Sequence, residues 1–239
     1  MKKDLQLYVF TDFDGTITIK DIGDELFRKY SKFDFYIQKL LSGEITIHQY
    51  WIEVCKNLDK NLNLETIRQF ALSFEVDPYF KQFACFCEQN QVQLSIVSDG
   101  FDTYINPIIQ SLQLNKIEIF CNTLIFEKKN IIPIFPYASE SCKCLCASCK
   151  RNTILSNIPE NAIIVFIGDG FSDYCAAEHS DIIFAKDKLA AYCNENKIPH
   201  YPFSTFLDVR RILEDIIKKK KYKIRNQARL LRKKAYETE

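Results

Sequence analysis

The acidic motif Asp12-Phe13-Asp14-Gly15-Thr16 stands directly after the apolar run Leu7 to Phe10. Such a run predicts a short buried strand, and both carboxylates then follow its end. One carboxylate of such a pair can act as a nucleophile or metal ligand while the other exchanges a proton with a leaving group. Gly15 permits a tight turn and a close approach of the backbone to a ligand. The motif therefore predicts nucleophilic and acid–base chemistry, although an Asp-Gly turn also occurs on ordinary surfaces.

Two later strand-like runs, Gln93 to Val97 and Ile163 to Ile167, also end in polar motifs. The first leads into Ser98-Asp99-Gly100, whose serine can hydrogen-bond a phosphate oxygen and whose glycine leaves nearby amides open. The second leads into Gly168-Asp169-Gly170-Phe171-Ser172-Asp173, whose two carboxylates suit a hard cation such as Mg²⁺. Lys150, between them in the chain, can neutralise the charge of a transferring phosphoryl group. This combination predicts a phosphate site beside a magnesium site.

Strand-like runs alternate with helical sequence along the chain, and a further run of this kind is Ile182 to Ala185. The alternation predicts an α/β fold, a Rossmann-like parallel sheet with helices on both faces. Ligands of such sheets bind beyond the carboxyl ends of the strands, which is where the polar motifs stand. The helical sequence from Asp24 to about Phe86 is too long for a simple crossover. We therefore expect an inserted helical cap over this edge of the sheet.

The predicted domains follow from that insert. The core comprises residues 1–18 and 87–239, the cap comprises residues 19–86, and a basic helical tail spans residues 218–239. Ten Lys or Arg and no acidic residue lie between positions 218 and 234, so the rest of the chain carries −9 within a net charge of +1. A basic run is more often a solvated helix than a binding site, and nucleic acid is not the expected partner.

Composition describes an ordinary globular chain. It has 239 residues, of which 47% are hydrophobic and 26% charged, with 6 glycines and 7 prolines. These values exclude collagen-like, low-complexity and wholly disordered chains. No run approaches the roughly 18 apolar residues of a membrane span, and the first apolar run is too short for a signal peptide. We therefore expect a soluble cytoplasmic protein whose ten cysteines are mostly reduced.

Four cysteines crowd into eight residues: Cys142, Cys144, Cys146 and Cys149. They could hold a tetrahedral structural Zn²⁺ that fixes the loop leading to Lys150. Their spacing is, however, tighter than that of paired Cys-x-x-Cys hooks. Reduced thiols in a cytosolic loop are the alternative interpretation.

The order and placement of the polar motifs resemble the haloacid-dehalogenase (HAD) superfamily of phosphatases. The resemblance implies that Asp12 attacks phosphorus to form an aspartyl-phosphate, and that Asp14 protonates the leaving oxygen and then activates water. The implied Mg²⁺ site comprises Asp12, the backbone carbonyl of Asp14, Asp169 and, in support, Asp173. The implied phosphate-binding residues are Thr16, Ser98, Asp99, Gly100 and Lys150.

The position of the insert resembles the phosphoserine-phosphatase-like branch of that superfamily, in which a helical cap selects the substrate. That branch carries Glu at the position of Asp21 and Arg at the position of Lys39, where they hold the amino and carboxyl groups of phosphoserine. Asp21 is shorter, and Lys39 cannot form the bidentate fork with a carboxylate. Asp21 and Lys39 are therefore the candidate substrate residues of the cap, and phosphoserine is the less favoured substrate.

The opening Asp-Phe-Asp-Gly-Thr-Ile-Thr (12–18), the cysteine-rich segment 141–150 and the stretch 180–187 resemble the methionine-salvage phosphatases. That resemblance implies a small phosphorylated metabolite as substrate, the enol phosphate 2-hydroxy-3-keto-5-methylthiopentenyl-1-phosphate. Phosphoserine phosphatase is the alternative enzyme. The non-enzyme alternative is a zinc- or nucleic-acid-binding module on a phosphatase scaffold, and a homodimer is compatible with all three.

Overall fold

The computed structural model describes residues 5–127, 130–139, 146–159, 161–220 and 222–238. The strands in this part of the chain are β1 (Gln6–Thr11), β2 (Gln93–Phe101), β3 (Glu118–Glu127), β4 (Asn130–Ile134), β5 (Ala162–Gly168), β6 (Ile182–Ala185) and β7 (Tyr201–Pro202). They form one sheet in the order β4-β3-β2-β1-β5-β6-β7, parallel throughout except for the antiparallel pair β3 and β4. The predicted α/β fold with a mostly parallel sheet is confirmed.

Helices connect these strands and form the insert. They are α1 (Ile22–Tyr30), α2 (Phe33–Leu41), α3 (Ile47–Lys56), α4 (Leu64–Leu72), α5 (Phe80–Gln89), α6 (Asp102–Ser111), α7 (Lys150–Ser156), α8 (Tyr174–His179), α9 (Asp187–Glu195), α10 (Phe206–Lys218) and α11 (Asn226–Thr238). Over the described ranges, none of them combines the length and the apolar character that crossing a membrane requires.

The centre of the sheet is buried on both faces. All seven residues of β5 are buried, because a parallel sheet covered by helices on each side has no solvent face. Successive side chains of a strand point to opposite faces. In β1, Val9 belongs to a large apolar core that includes side chains of α1 to α4. Phe10 belongs to a smaller core that α8 and α9 cover. Helices therefore lie on both faces of the sheet, as predicted.

The inserted layer, called the cap below, consists of α1 to α4, which lie between the first two strands in the chain. Side-chain caps set two of the helix starts: Asp21 accepts from the Asp24 amide at 2.7 Å, and Asn63 accepts from the Thr66 amide at 2.9 Å. The apolar face of α3 and its end is buried; it consists of Trp51, Val54, Cys55 and Leu58.

The chain enters and leaves this layer side by side, through an antiparallel bridge between Thr18 and Val76. The next helix, α5, packs on β2 of the sheet and on α10. The division at residue 86 stays a prediction, and these contacts favour a boundary before α5.

The β3–β4 hairpin is an element that the sequence analysis did not predict. Its second strand, β4, packs against α3 of the cap. Just beyond β4, the Phe135 ring meets the His48 ring edge-on, with centroids 5.2 Å apart. The hairpin therefore supports the cap from one edge of the sheet.

Much of the predicted basic tail is a docked helix, since α11 packs on α8. Arg232 donates to the carboxylate of Asp181 at 3.1 Å and to the carbonyl of His179 at 2.7 Å, and the Asp181 side chain is fully buried. Arg225 donates to the carbonyl oxygens of Ser180 and Ala177 at 2.9 and 3.0 Å. These carbonyl groups stand at the C-terminus of α8. A helix C-terminus carries partial negative charge, which the two guanidinium groups neutralise. Part of the basic charge therefore stabilises the fold.

Replacing Arg232 by alanine is expected to lower the free energy of unfolding by about 3 kcal/mol, because it leaves a buried carboxylate without its cation. Urea denaturation followed by circular dichroism measures the change. Lys233→Ala is the matched control: the Lys233 side chain is 76% exposed and lies 3.9 Å from Glu237. We expect the control to change stability by less than about 0.5 kcal/mol. Equal effects of the two substitutions would contradict a structural role for Arg232.

Candidate active site

Asp12 follows the carboxyl end of β1 and is buried, with its amide bound to the carbonyl of Ile167 in β5. Its Oδ1 accepts from the Phe13 amide at 2.7 Å and from the Lys150 ammonium at 2.8 Å. Among the described residues both side-chain contacts fall on Oδ1, so Oδ2 is the oxygen available to attack. Burial, and then the nearby charge of Asp173, raises the pKa of Asp12 well above its usual value. The carboxylate therefore needs cations beside it to remain ionised.

Lys150 begins α7, and its ammonium is enclosed by three acceptors. These are Oδ1 of Asp12 at 2.8 Å, Oδ1 of Asp173 at 2.6 Å and the Ser172 hydroxyl at 2.9 Å. Burial acts to lower the pKa of this lysine, but Asp12 and Asp173 outweigh burial and raise it above its usual value. Lys150 is therefore a fixed positive charge at neutral pH, held against the carboxylate that could carry a phosphoryl group.

Two further carboxylates stand beside Asp12. Oxygens of Asp12, Asp169 and Asp173 lie within 4.8 Å of one another. The second oxygen of Asp173 accepts from the amides of Asp169 and Gly170, both at 2.9 Å, and so fixes the turn after β5. Burial, and then the charge of Asp173, raises the pKa of Asp169 to about 6. Oxygen donors grouped in this way fit Mg²⁺, which prefers carboxylate ligands.

The carboxyl group of Asp14 is held at both oxygens. Oδ1 accepts from the Ile22 amide at 2.9 Å, and Oδ2 accepts from the Tyr104 hydroxyl at 2.7 Å. Burial, and then the charge of Asp21, raises the pKa of Asp14 to about 8. A pKa raised in this way favours the protonated carboxyl near neutral pH, which is the state that a general acid requires.

Ser98 and Gly100 lie near the end of β2, on the wall of the same cavity as Asp12 and Asp14. The Ser98 hydroxyl is buried and accepts from the Gly100 amide at 3.0 Å, which leaves its own proton to donate to a phosphate oxygen. The structure thus brings together six residues predicted from separate motifs: Asp12, Asp14, Ser98, Lys150, Asp169 and Asp173.

Known proteins share this arrangement of elements. The family described as "Putative Phosphatase" matches residues 7–194. The chain belongs to that family. A 2-hydroxy-3-keto-5-methylthiopentenyl-1-phosphate phosphatase of Bacillus cereus (strain AH820) is 30% identical over 219 residues, which cover 90% of this chain and 100% of the relative.

Solved structures agree with the fold of this phosphatase. A phospho-aspartyl intermediate analogue of phosphoserine phosphatase aligns with a TM-score of 0.62 at 19% identity, over 89% of this chain and 99% of that one. Phosphoserine phosphatase from T. onnurineus aligns with a TM-score of 0.61 at 16% identity, over 89% and 98% of the two chains. The protein is a phosphatase and a phosphoric monoester hydrolase, as the sequence predicted, and its fold is that of the phosphoserine phosphatases.

Two side chains assigned to phosphate binding have other partners in the phosphatase. The Thr16 hydroxyl donates to Asp169 at 2.5 Å. The Asp99 carboxylate accepts from the amides of Ala147 and Ser148 at 2.7 and 2.6 Å. Thr16 therefore orients a carboxylate of the candidate metal site, and Asp99 ties β2 to the segment that leads into Lys150.

Gly15 has the role expected for it. Its φ is +71°, and a Cβ there would lie 2.6 Å from a carboxylate oxygen of Asp169. A side chain at this position would both strain the backbone and displace a candidate metal ligand. The turn of the first motif therefore depends on glycine.

A cavity of about 610 Å³ lies between the cap and the carboxyl edge of the sheet, a volume suited to a small molecule. Asp21 and Asp24 contribute carboxylates to its wall, and Lys188 is the single cation among the described residues that line it. Burial, and then the charge of Asp24, raises the pKa of Asp21 to about 7. The apolar lining side chains from the cap and its entry are Ile19, Ile37, Leu40, Leu41, Ile47 and Trp51.

Of the two candidate substrate residues of the cap, Asp21 lines this cavity and Lys39 does not. The Lys39 ammonium pairs with Glu44 at 2.5 Å and lies 5.1 Å from the centroid of the Phe35 ring. Helix α2 presents Ile37 and Leu40 to the cavity instead. The structure therefore corrects the assignment of Lys39 to substrate binding.

The cysteine cluster is only partly described. Cys142 and Cys144 lie outside the described residues, and Cys146 and Cys149 are buried. The structural zinc site accordingly stays a prediction.

Two side chains that contact the candidate catalytic carboxylates or their lysine were not predicted from the sequence. Ser172 accepts from Lys150, and its place inside the Gly168–Asp173 motif was a usable signal. Tyr104 donates to Asp14 from α6, where nothing in the local sequence distinguishes it from a core aromatic.

Proposed function

We propose that this phosphatase hydrolyses a small phosphomonoester through an aspartyl-phosphate on Asp12, with Mg²⁺ bound beside it. The observation that carries the proposal is the buried ammonium of Lys150, 2.8 Å from Asp12 and 2.6 Å from Asp173. Phosphoryl transfer depends mainly on positioning and on neutralising the charge of the phosphoryl oxygens. A fixed cation beside a carboxylate with one oxygen available meets both needs.

In the first step Oδ2 of Asp12 attacks phosphorus while the bond from phosphorus to the leaving oxygen breaks. Protonated Asp14 gives its proton to that oxygen, so a neutral alcohol or enol departs. In the second step the Asp14 carboxylate takes a proton from water, which attacks phosphorus and releases inorganic phosphate from Asp12. Ser98 donates to a phosphoryl oxygen in both steps, and the positive charge of Lys150, 2.8 Å from Asp12, offsets the charge of the phosphoryl group. The cap limits the access of other water molecules.

The residues that would hold Mg²⁺ are Asp12, Asp169 and Asp173, with the backbone carbonyl of Asp14 as a further donor. Burial and the proximity of the carboxylates raise the pKa values of Asp12 and Asp169, so this cluster favours a cation among its members. Bound there, Mg²⁺ supplies positive charge that offsets the repulsion between the carboxylates and a phosphate group.

For the substrate we propose the enol phosphate in the name of the Bacillus cereus relative. Its methylthio chain is apolar, and apolar side chains such as Leu40, Leu41 and Ile47 line the cavity above the reacting carboxylates. Asp21 and Asp24 on the same wall disfavour a leaving group that carries a carboxylate.

Phosphoserine is the second candidate, because Asp21 on the cavity wall could hold its amino group. Its carboxylate has no partner at Lys39, which pairs with Glu44. Lys39→Ala is therefore expected to change KM for the preferred substrate by less than about twofold, as for other exposed ion pairs. Initial-rate kinetics with both substrates measure the change. A large rise in KM for phosphoserine would favour the second candidate.

Phosphate release from a panel of monoesters tests the proposed function. The panel holds the enol phosphate, phosphoserine, phosphocholine, phosphoethanolamine and an aryl phosphate, each with Mg²⁺ and with EDTA. We expect turnover with Mg²⁺, its loss in EDTA and its return when Mg²⁺ is restored, because the carboxylate cluster repels a phosphate anion without a cation. Undiminished activity in EDTA would contradict the mechanism, and a clear preference for phosphoserine would contradict the substrate.

Three finer predictions stay proposals. The four cysteines between positions 142 and 149 support a structural Zn²⁺ by number and proximity, and zinc retained through dialysis tests it. A homodimer is tested by sedimentation. A cytoplasmic location rests on the metabolic substrate and is tested by fractionation of cells.

A further inference from the structure

Tyr104 stands at the boundary between the sheet layer and the cap. It lies in the first turn of α6, is 1% exposed, and packs against Phe13 with ring centroids 6.3 Å apart. Its hydroxyl donates to Oδ2 of Asp14 at 2.7 Å. The phenol thus connects a core helix with the carboxyl group proposed as the general acid.

The other oxygen of Asp14 is held from the opposite side. Oδ1 accepts from the amide of Ile22 at 2.9 Å, and Ile22 is the first residue of cap helix α1. A carboxyl group with one donor can rotate about its Cβ–Cγ bond, because that torsion has a broad minimum. Two donors on different oxygens, from different elements, define the plane of the group. The direction in which Asp14 presents its proton is therefore set by Tyr104 together with the backbone amides of Ile22 and Gly23.

Two glycines leave room for the phenol. A Cβ on Gly23, in α1, would lie 2.9 Å from the Tyr104 hydroxyl. A Cβ on Gly100, at the end of β2, would overlap that hydroxyl and lie 2.7 Å from Oδ2 of Asp14. Neither glycine has a positive φ, so the space around the hydroxyl is a specific reason for glycine at both positions. Strand, core helix and cap helix meet at this hydroxyl.

We infer that Tyr104 is a positioning residue for catalysis, one that orients the carboxyl group of Asp14 for proton transfer to the leaving oxygen. The inference rests on the proposed function, in which Asp14 is the general acid. It assigns to Tyr104 no contact with substrate. The Tyr104 hydroxyl donates to Asp14, so it acts through that carboxyl group.

A positioning role makes a prediction that a packing role does not. Protonation matters most when the leaving group is a strong base and little when it departs readily as an anion. Phenyl phosphate and 4-nitrophenyl phosphate have nearly the same shape, but phenol is the more basic leaving group. The ratio kcat/KM includes phosphoryl transfer to Asp12 and excludes the later hydrolysis step, so it isolates leaving-group departure.

Tyr104→Phe removes the hydroxyl and keeps the ring. We expect kcat/KM for phenyl phosphate to fall roughly 10- to 100-fold, a large part of what a general acid contributes. For 4-nitrophenyl phosphate we expect a fall of less than about threefold, because little protonation is needed. A thermal melt of each variant monitors folding.

Tyr192→Phe is the matched control. The Tyr192 hydroxyl donates to the Glu178 carboxylate at 2.6 Å, between α9 and α8 and away from the cavity. This substitution also removes one hydrogen bond from a phenol to a carboxylate. It is expected to leave kcat/KM for both esters unchanged.

Gly23→Ala tests the same hydroxyl without removing it. The new methyl group displaces the phenol and is expected to reproduce the selective loss on phenyl phosphate. In the double variant with Tyr104→Phe, the methyl group meets no hydroxyl and should add little. This result does not depend on how well the single Tyr104→Phe variant folds, because Gly23→Ala retains the complete phenol.

The possible results separate the inference from the proposed function. A selective loss on phenyl phosphate in both single variants supports the positioning role. Equal losses on the two esters, unchanged rates in Tyr104→Phe, or additive losses in the double variant would overturn it. Wild-type protein that releases no phosphate from either ester in Mg²⁺ would overturn the proposed function, and the inference with it.

Discussion

Asp12→Asn is expected to abolish phosphate release, with a fall in kcat of at least about 10⁴-fold, as for the removal of other covalent nucleophiles. The amide nitrogen and oxygen of asparagine match the carboxylate in shape but cannot form the phosphoryl ester. Oδ2 of Asp12 is the oxygen concerned, since Oδ1 is held by the Phe13 amide and Lys150. Phosphate release with saturating Mg²⁺ and the best monoester of the panel measures the loss.

The same substitution is expected to raise the free energy of unfolding in EDTA, by about 1 kcal/mol, as when other strained active-site groups are removed. Burial, and then the charge of Asp173, raises the pKa of Asp12 above its value in the unfolded chain. The cost of Asp12 to stability therefore begins above the pKa of the unfolded chain and grows as the pH rises toward the raised pKa of the folded protein. The gain from asparagine should be larger at pH 8 than at pH 5.

Asp215→Asn is the matched control for both measurements. Asp215 lies on the solvent-facing side of α10, paired with Lys219 at 2.6 Å and 57% exposed in its side chain. We expect it to change neither activity nor stability appreciably. Turnover by Asp12→Asn above a hundredth of the wild-type rate would contradict an aspartyl-phosphate on Asp12.

The strands that carry the site were predictable because they are almost completely buried. β5 is buried over its whole length, so its sequence is a continuous apolar run that ends in polar residues. The carboxyl ends of β1, β2 and β5 meet at one edge of the sheet, since these strands are parallel neighbours. A linear pattern therefore predicts both the fold and the meeting of Asp12, Ser98 and Asp169.

Side-chain direction was not predictable in the same way. Thr16 and Asp99 stand within the motifs, yet their side chains contact Asp169 and the amides before Lys150. Lys39 was placed by analogy along α2, and a small rotation of that helix decides whether it faces the cavity or Glu44. Proximity in sequence restricts where a residue lies but does not determine its contacts.

Contacts between distant segments account for the remaining differences. The buried pair of Asp181 and Arg232 joins residues 51 positions apart, and the basic run alone suggested only a solvated helix. In the β3–β4 hairpin the exposed face also carries apolar side chains, namely Ile125, Ile132 and Ile134, so the sequence lacks a clear period of two. Tyr104 likewise shares an apolar helix face with Ile105 and Ile108, which conceals its hydrogen bond to Asp14.

Lys150→Met should lower kcat by about 10³-fold or more, the range seen when the cation that neutralises a transferring phosphoryl group is removed. Unlike Asp12→Asn, it should also destabilise the protein. The ammonium contacts Asp12 and Asp173 at 2.8 and 2.6 Å, and methionine fills similar volume without charge. Two buried carboxylates then lose their cation, and we expect a loss of about 3 kcal/mol at pH 8 in EDTA.

The pH dependence distinguishes lost charge from poor packing. The raised pKa of Lys150 means that its stabilising contribution in the wild type is fully present from pH 5 to pH 8 and is lost only at strongly alkaline pH. In Lys150→Met the penalty comes from ionised carboxylates, whose pKa values are already raised by burial at Asp12 and, to about 6, at Asp169. The penalty should therefore shrink from pH 8 to pH 5 as they bind protons. Urea denaturation across this range measures the loss in free energy of unfolding. Lys116→Met is the control, because the Lys116 side chain is 89% exposed. A penalty that is constant with pH would mean that Lys150 stabilises the site by packing alone.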